Sequence, residues 1–275
     1  MKLCDYHFHT YLSPDASNSL EEMANAAYNA GFAEICVTDH CDEGHCSDIS
    51  KNGQNFDFSY NEEKSFKQYL SISREIKNKI NILYGIELGE PCQNLKRSEE
   101  ILSNNNFDFV IGSLHNLDNM PDFWSLDYSN YDVDKLFLRY LYELEEHIKW
   151  NGFDVLGHIT YPLRYIIGEY KIDFDIKKYI DDIYDLLKII VKNNKGIEIN
   201  TSGLRQSINK LLPDEEIISL YKKAGGKIIT VGSDAHNTSD MGKGIIDGVK
   251  AAKKCGFEYI ARFKNRNPVF EKIDI

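Results

Sequence analysis

Seven short runs rich in β-branched and aromatic residues, separated by amphipathic stretches, constrain the fold of this 275-residue chain more than any other feature. The runs predict strands at 2–9, 34–38, 81–87, 108–112, 153–158, 196–200 and 227–232. Helical periodicity predicts helices at 19–30, 60–79, 133–150, 176–194, 214–223 and 242–254. The alternation of the two kinds of element calls for a parallel sheet, because parallel neighbours need a crossover between them. Ser19 followed by Glu22 has the spacing of a capping box, Pro213 before Asp214 suits a helix entrance, and Gly31, Gly152, Gly225 and Gly256 suit helix stops.

Six of the eight histidines lie at or just past the carboxyl ends of these runs. His7 and His9 stand at i and i+2, which on a strand turns both imidazoles to one side. The others follow in Thr38-Asp39-His40, Gly112-Ser113-Leu114-His115, Gly157-His158 and Ser233-Asp234-Ala235-His236, with Glu87 closing its own run and Asp15 close behind the first. A lone histidine beside an apolar run is ordinarily a structural residue. Six at the ends of five parallel strands converge in space and, with Asp15, Glu87 and Asp234, point to a metal centre. His45 and His147 lack this context and are read as structural. Seven βα units close most readily into an incomplete barrel; a doubly wound open sheet would spread the ligands over too wide a front for one cluster.

The donor set is rich in nitrogen with a few carboxylates, which suits zinc, manganese or iron better than calcium or magnesium. Clustered divalent ions hold a phosphoryl group and activate a shared water, favouring hydrolysis over electron transfer. A net charge of −11 argues against a nucleic-acid surface, and no apolar stretch is long enough to cross a membrane. The amino terminus shows no secretory signal, so a cytoplasmic enzyme is expected. The six cysteines are too scattered for a disulfide scaffold and are expected as free thiols. Cys41, His45 and Cys46 have no second Cys/His pair at zinc-site spacing and read as loop residues. The segment 41–59 is the longest irregular stretch, with the reach to cover a site; the chain as a whole, 1–275, reads as one domain.

The order His7-Phe8-His9, Ser13-Pro14-Asp15, Thr38-Asp39-His40, Glu87, His115, Gly157-His158 and Ser233-Asp234-Ala235-His236 resembles the PHP superfamily over nearly the whole chain, in particular its monofunctional histidinol phosphatases. The resemblance implies a distorted (β/α)7 TIM-like barrel with the metal site at the carboxyl ends of the strands. It implies three divalent ions, the first on His7, His9, Glu87 and Asp234, the second sharing Glu87 and taking His115 and His158, the third on Asp15, His40 and His236. Arg164 and Arg205 resemble phosphate-contacting positions, where a guanidinium grips two phosphate oxygens. Glu87 as the bridging carboxylate, with Asp234 or His236 handling protons, are the candidate catalytic residues. The implied substrate is L-histidinol phosphate, with other small phosphomonoesters (nucleotides, sugar phosphates, phosphotyrosine) or a noncatalytic metal-binding role as the alternatives. Two departures stand out. Asp15 replaces a histidine found in some PHP proteins and keeps ligand chemistry, whereas Thr160 replaces an aspartate found in some histidinol phosphatases. A hydroxyl cannot pair with an ammonium as a carboxylate does, leaving Asp42, Glu43 or Asp118 as candidate partners for the substrate amine.

Overall fold

A computed structural model of the chain describes residues 1–42, 48–51 and 54–275. Strands β1 (Cys4–Asp5), β2 (Glu34–Val37), β3 (His40–Asp42), β6 (Asn81–Gly89), β7 (Phe109–Ser113), β8 (Val155–Leu156), β9 (Gly196–Asn200) and β10 (Ile229–Gly232) form one parallel sheet, and β4 (Asp48–Lys51) pairs with β5 (Gln54–Asp57) in a hairpin. The order is β1-β2-β6-β7-β8-β9-β10, with β3 continuing the path of β2 along β6. Hydrogen bonds from Tyr6 N to Val231 O (3.2 Å) and from Asp234 N to His7 O (2.7 Å) bring the first and last staves together, so the sheet is a nearly closed barrel. Helices α1 (Leu20–Asn29), α2 (Glu62–Glu75), α3 (Leu95–Asn104), α4 (Val133–Trp150), α5 (Ile180–Lys192), α6 (Glu215–Lys223) and α7 (Ile245–Lys254) accompany the staves. No helix among the described residues is long and apolar enough to cross a membrane.

Local chemistry explains the boundaries. Ser19 and Glu22 make the reciprocal capping box, and α1 buries Leu20, Met23, Ala24 and Ala27, the 0, 3, 4, 7 spacing of one helix face. Gly31, Gly225 and Gly256 take positive φ after their helices. Gly152 does not; Asn151, at φ 66, closes α4 instead, since asparagine also tolerates the left-handed region. Asp214, just after Pro213, caps α6.

Three elements escape the sequence pattern. Helix α3 buries only Ser98 and Ile101, too little to register as an apolar stripe. The segment 41–59, expected to be irregular, begins in β3 and holds β4 and β5, short polar strands without an apolar run. The carboxyl terminus forms an antiparallel hairpin of β11 (Tyr259–Lys264) and β12 (Asn267–Lys272), joined through Asn265 and Arg266, both at positive φ. That two-residue turn lacks the glycine that usually announces it. His45 and Cys46 lie outside the described residues, as does Glu43; among the described residues Cys4, Cys36, Cys92 and Cys255 are free thiols.

The larger apolar core fills the layer between barrel and helices, and a smaller one occupies the amino-terminal mouth. There Tyr6, Leu83, Phe109, Ile111 and Val155 meet Ala261 and Phe263 of the hairpin. Arg262 grips Glu34 through Nε (2.8 Å) and Nη2 (2.7 Å), the Phe263 amide donates to Tyr6 Oη (3.0 Å), and Arg266 Nε donates to Asp154 Oδ2 (2.6 Å). The hairpin is a plug for the end of the barrel away from the histidines. Phe263→Ala should cost about 3–5 kcal/mol, read as a lowered urea midpoint.

His147 is wholly buried beside Phe153 and Trp150, consistent with its structural reading. A Cβ at Gly112 would come within 2.5 Å of its Nε2, so glycine is required where α4 crosses β7. Burial, aided by the nearby His115 charge, pushes the His147 pKa down to about 3 from 6.5. The unfolded state therefore binds the extra proton first, and stability falls as pH drops from about 6.5 toward 3. His147→Phe should remove part of this acid sensitivity, measured as a flatter Tm profile between pH 6.5 and 4 than that of the wild type.

Candidate functional site

The register of β6 builds the site. Glu87 lies opposite His40 on one side and Ile111 on the other, so the Glu87 carboxylate reaches the carboxyl mouth between neighbouring staves. The bridge of Phe8 with Ala235 sets His7 and His9 beside Asp234 and His236. His115 and His158 follow β7 and β8. All nine proposed ligands come together.

The donor spacings match a coordination shell. Zinc bonds of about 2.0–2.2 Å at tetrahedral angles require donors roughly 3.3–3.6 Å apart. His7 Nε2 lies 3.1 Å from His9 Nε2, 3.2 Å from Glu87 Oε2 and 3.7 Å from Asp234 Oδ1. His9 Nε2 lies 3.5 Å from Glu87 Oε2 and 3.3 Å from Asp234 Oδ1. A second set joins the other oxygen, Glu87 Oε1, to His115 Nε2 (3.2 Å) and His158 Nε2 (2.7 Å), which are themselves 3.4 Å apart. A third set lies nearer the rim. Asp15 Oδ2 stands 3.1 Å from His236 Nε2 and 3.7 Å from His40 Nε2, and the His9 ring stacks on both imidazoles.

Glu87 Oε2 is buried with no hydrogen-bond donor, a costly state for a carboxylate unless a cation faces it. The residues present therefore fit divalent metal ions. Burial opposes ionisation, yet the surrounding imidazoles hold the carboxyls of Glu87, Asp234 and Asp15 well below their usual range. Burial likewise opposes a charge on His7, but Glu198, Glu87 and Asp234 raise its pKa.

Around this cluster the structure recruits residues that were not read as ligands from the sequence. Ser13 Oγ is 3.2 Å from His9 Nδ1, Ser113 Oγ donates to Glu87 Oε1 (2.6 Å), and Glu198 Oε1 accepts from His7 Nδ1 (2.6 Å). A signal for Glu198 existed: it is an acid in the centre of an otherwise apolar strand run, Gly196-Ile197-Glu198-Ile199. Asp42 turns its carboxylate to His115 Nδ1 (3.3 Å), and His40, Asp42 and His115 form a further group of donors that the sequence did not suggest.

A cavity of about 310 Å³ opens above the cluster. Asp15, His40, Glu87, His115, His158, Asp234 and His236 line its floor. Arg164 lines one wall, its Nη2 donating to Ser202 Oγ (2.7 Å) and Asp234 Oδ2 (3.2 Å). Arg205 sits behind that wall, with Nη2 donating to the Ser233 carbonyl (2.9 Å), and does not line the cavity. Phe58, Trp124, Tyr161, Tyr165, Asp42, Asp122 and Glu169 complete the walls. Burial raises the Asp122 pKa to about 6, against the pull of the His115 charge. Asp118 faces a separate groove along α4, and Thr160 is buried away from the cavity.

A family model described as the PHP domain matches residues 5–202. A "probable histidinol-phosphatase" of Thermotoga maritima is 29% identical, covering 94% of this chain and 95% of its own. A histidinol-phosphatase of Lactococcus lactis is 28% identical over 96% of this chain and 95% of its own. Among solved structures, histidinol phosphate phosphatase from Lactococcus lactis, complexed with zinc, L-histidinol and phosphate, superposes with a TM-score of 0.85 at 25% identity, covering 98% of this chain and 99% of that one.

Replacing Glu87 with Ala removes the one carboxylate common to two donor sets. It should strip bound metal, read by elemental analysis, and turnover together; a variant that keeps both would refute the bridging role. Asp15→Ala should cost metal only at the more exposed rim set.

Proposed function

As the chain belongs to the PHP domain family, we propose that it is a metal-dependent phosphomonoester hydrolase that converts L-histidinol phosphate and water to L-histidinol and phosphate. The observation that carries this reading is a cavity with two chemically opposite sides. A cation-binding floor with Arg164 suits a phosphate dianion, and a wall of Trp124, Tyr161 and Tyr165 with the acids Asp122 and Glu169 suits an imidazole and an ammonium. The acids also answer the loss of a carboxylate at Thr160. We assign three divalent ions, zinc, manganese or iron, to the three donor sets, and on the free thiols of Cys4, Cys36, Cys92 and Cys255 we propose a cytoplasmic setting.

Each residue then has a task. His7, His9, Glu87 and Asp234 would hold one ion, Glu87, His115 and His158 the next, and Asp15, His40 and His236 the third. Bound divalent ions bring the pKa of a coordinated water from ~16 to about 7 and neutralise phosphoryl charge. Arg164, restrained by Ser202, Asp234 and the face of Tyr161 at 5.0 Å, orients the phosphoryl group. Arg205 supports the loop of Ser233 and Asp234 from behind, and its buried Nη1 has no hydrogen-bond partner. Both candidate proton carriers are engaged: Asp234 Oδ1 faces His7 and His9, and its Oδ2 accepts from Arg164, Asn200 and Ser202. His236 is occupied on both nitrogens, Nδ1 against the Asp234 carbonyl (3.1 Å) and Nε2 against Asp15 (3.1 Å).

Steady-state phosphate release from L-histidinol phosphate, generic phosphomonoesters and a short oligonucleotide tests the assignment. A clear preference in kcat/KM for histidinol phosphate is expected, and activity confined to another ester would overturn the substrate while keeping the metal centre. Arg164→Lys should lower kcat/KM by roughly 10- to 150-fold, the worth of charge-assisted hydrogen bonds of about 1.5–3 kcal/mol.

A further inference from the structure

Glu198 is wholly buried in the middle of β9, where alternation sends Ile197 and Ile199 to the layer beneath the helices and turns Glu198 and Asn200 into the barrel. No candidate ligand set includes it, yet both of its oxygens are spoken for. Oε1 accepts from His7 Nδ1 at 2.6 Å. Oε2 accepts from the backbone amide of His158 at 3.0 Å and from Asn200 Nδ2 at 3.2 Å. Asn200 Nδ2 also reaches Asp234 Oδ2 at 3.3 Å, and Asn200 Oδ1 accepts in turn from Ser202 Oγ at 2.6 Å. The carboxylate has no space to move away, since even a Cβ at Gly232 would come within 2.5 Å of Oε1.

These contacts fall on two different donor sets. His7 belongs to the set with His9, Glu87 and Asp234, and His158 to the set with Glu87 and His115. An ionised carboxylate only accepts, so the proton must sit on His7 Nδ1 and the lone pair on Nε2 must face Glu87 and His9. The same carboxylate anchors the amide of His158 and thereby the direction in which that ring leaves β8.

We propose that Glu198 is a positioning residue that couples two cation sites, holding the His7 imidazole of one and the His158 backbone of the other so that the two sites load together. The proposal rests on the reading of the cluster as a divalent metal centre. Ordering Glu198 against His7 when the first site fills also orders its partner at His158, so the second site forms with less conformational freedom left to lose. Glu198→Gln is the discriminating change. It preserves volume but leaves one accepting oxygen where the structure uses two, so either His7 Nδ1–H or the His158 amide meets an amide N–H.

The test measures zinc bound per chain against buffered free zinc for the full chain, by equilibrium dialysis and elemental analysis, beside the Tm of the metal-free protein. The wild type should fill these two sites in one steep transition. E198Q should require about 10- to 100-fold more free zinc and fill them in separate steps, with the metal-free Tm close to that of the metal-free wild type. E198Q filling both sites at the wild-type concentration would overturn the coupling, and so would a zinc deficit that appears only where the metal-free variant has unfolded. If E198Q does not fold, Glu198→Asp, which retains two accepting oxygens one methylene short, should show a smaller shift in the same direction, and wild-type binding by it would overturn the proposal. A wild-type chain that takes up no zinc would instead refute the metal reading itself, and no substrate enters the measurement, so the identity of the phosphate ester bears on neither outcome.

Discussion

The structure turns on one buried carboxylate. Glu87 lies two residues before the end of the long central strand β6, with one oxygen toward His115 and His158 and the other toward His7, His9 and His40. Such a group is tolerated in a protein interior only when opposite charge surrounds it. Every stave of the barrel that contributes an imidazole therefore has to reach the same end at the same height, and the in-register parallel pairing of β6 with β3 and β7 arranges this. Metal ions complete the compensation that the imidazoles begin.

Stability and chemistry are segregated along the barrel axis. At the amino-terminal mouth, Phe263 and its neighbours bury apolar surface, and Arg262 and Arg266 pair with Glu34 and Asp154. At the other mouth, unpartnered polar atoms collect on His40, Asp42, Glu87, His115, His158, Arg164 and Arg205. The hairpin lets the fold carry a functional end whose polar groups lack partners of their own, in keeping with the concentration of sites at the carboxyl ends of barrel strands.

Recognition of a substrate divides the same way within the cavity. The floor is indifferent to what a phosphate is attached to, whereas the aromatic and acidic walls face the leaving group. Trp124, Tyr161, Tyr165, Asp122 and Glu169 come from connections between staves, where sequence carries little periodic information. None of them was legible beforehand; of the acids the sequence offered, Asp42 lines the cavity, Glu43 lies outside the described residues and Asp118 points into another groove.

The sequence by itself determined the alternation of strand and helix, the seven staves, and which nine residues would meet at one mouth, because strand periodicity and the place of each histidine at a strand end are local properties. Local signals also marked the ends of α1 and α6, though at α4 the left-handed residue is Asn151, one position before the expected glycine. Only the tertiary structure decided which donors share an oxygen of Glu87, that Arg164 lines the cavity while Arg205 stands behind it, that the carboxyl-terminal hairpin seals the base, and that Glu198 joins two ligand sets. Those relations depend on contacts between residues as much as 257 positions apart, as between Tyr6 and Phe263, or 191 apart, as between His7 and Glu198, and such contacts exist only once the strands have curled into a barrel.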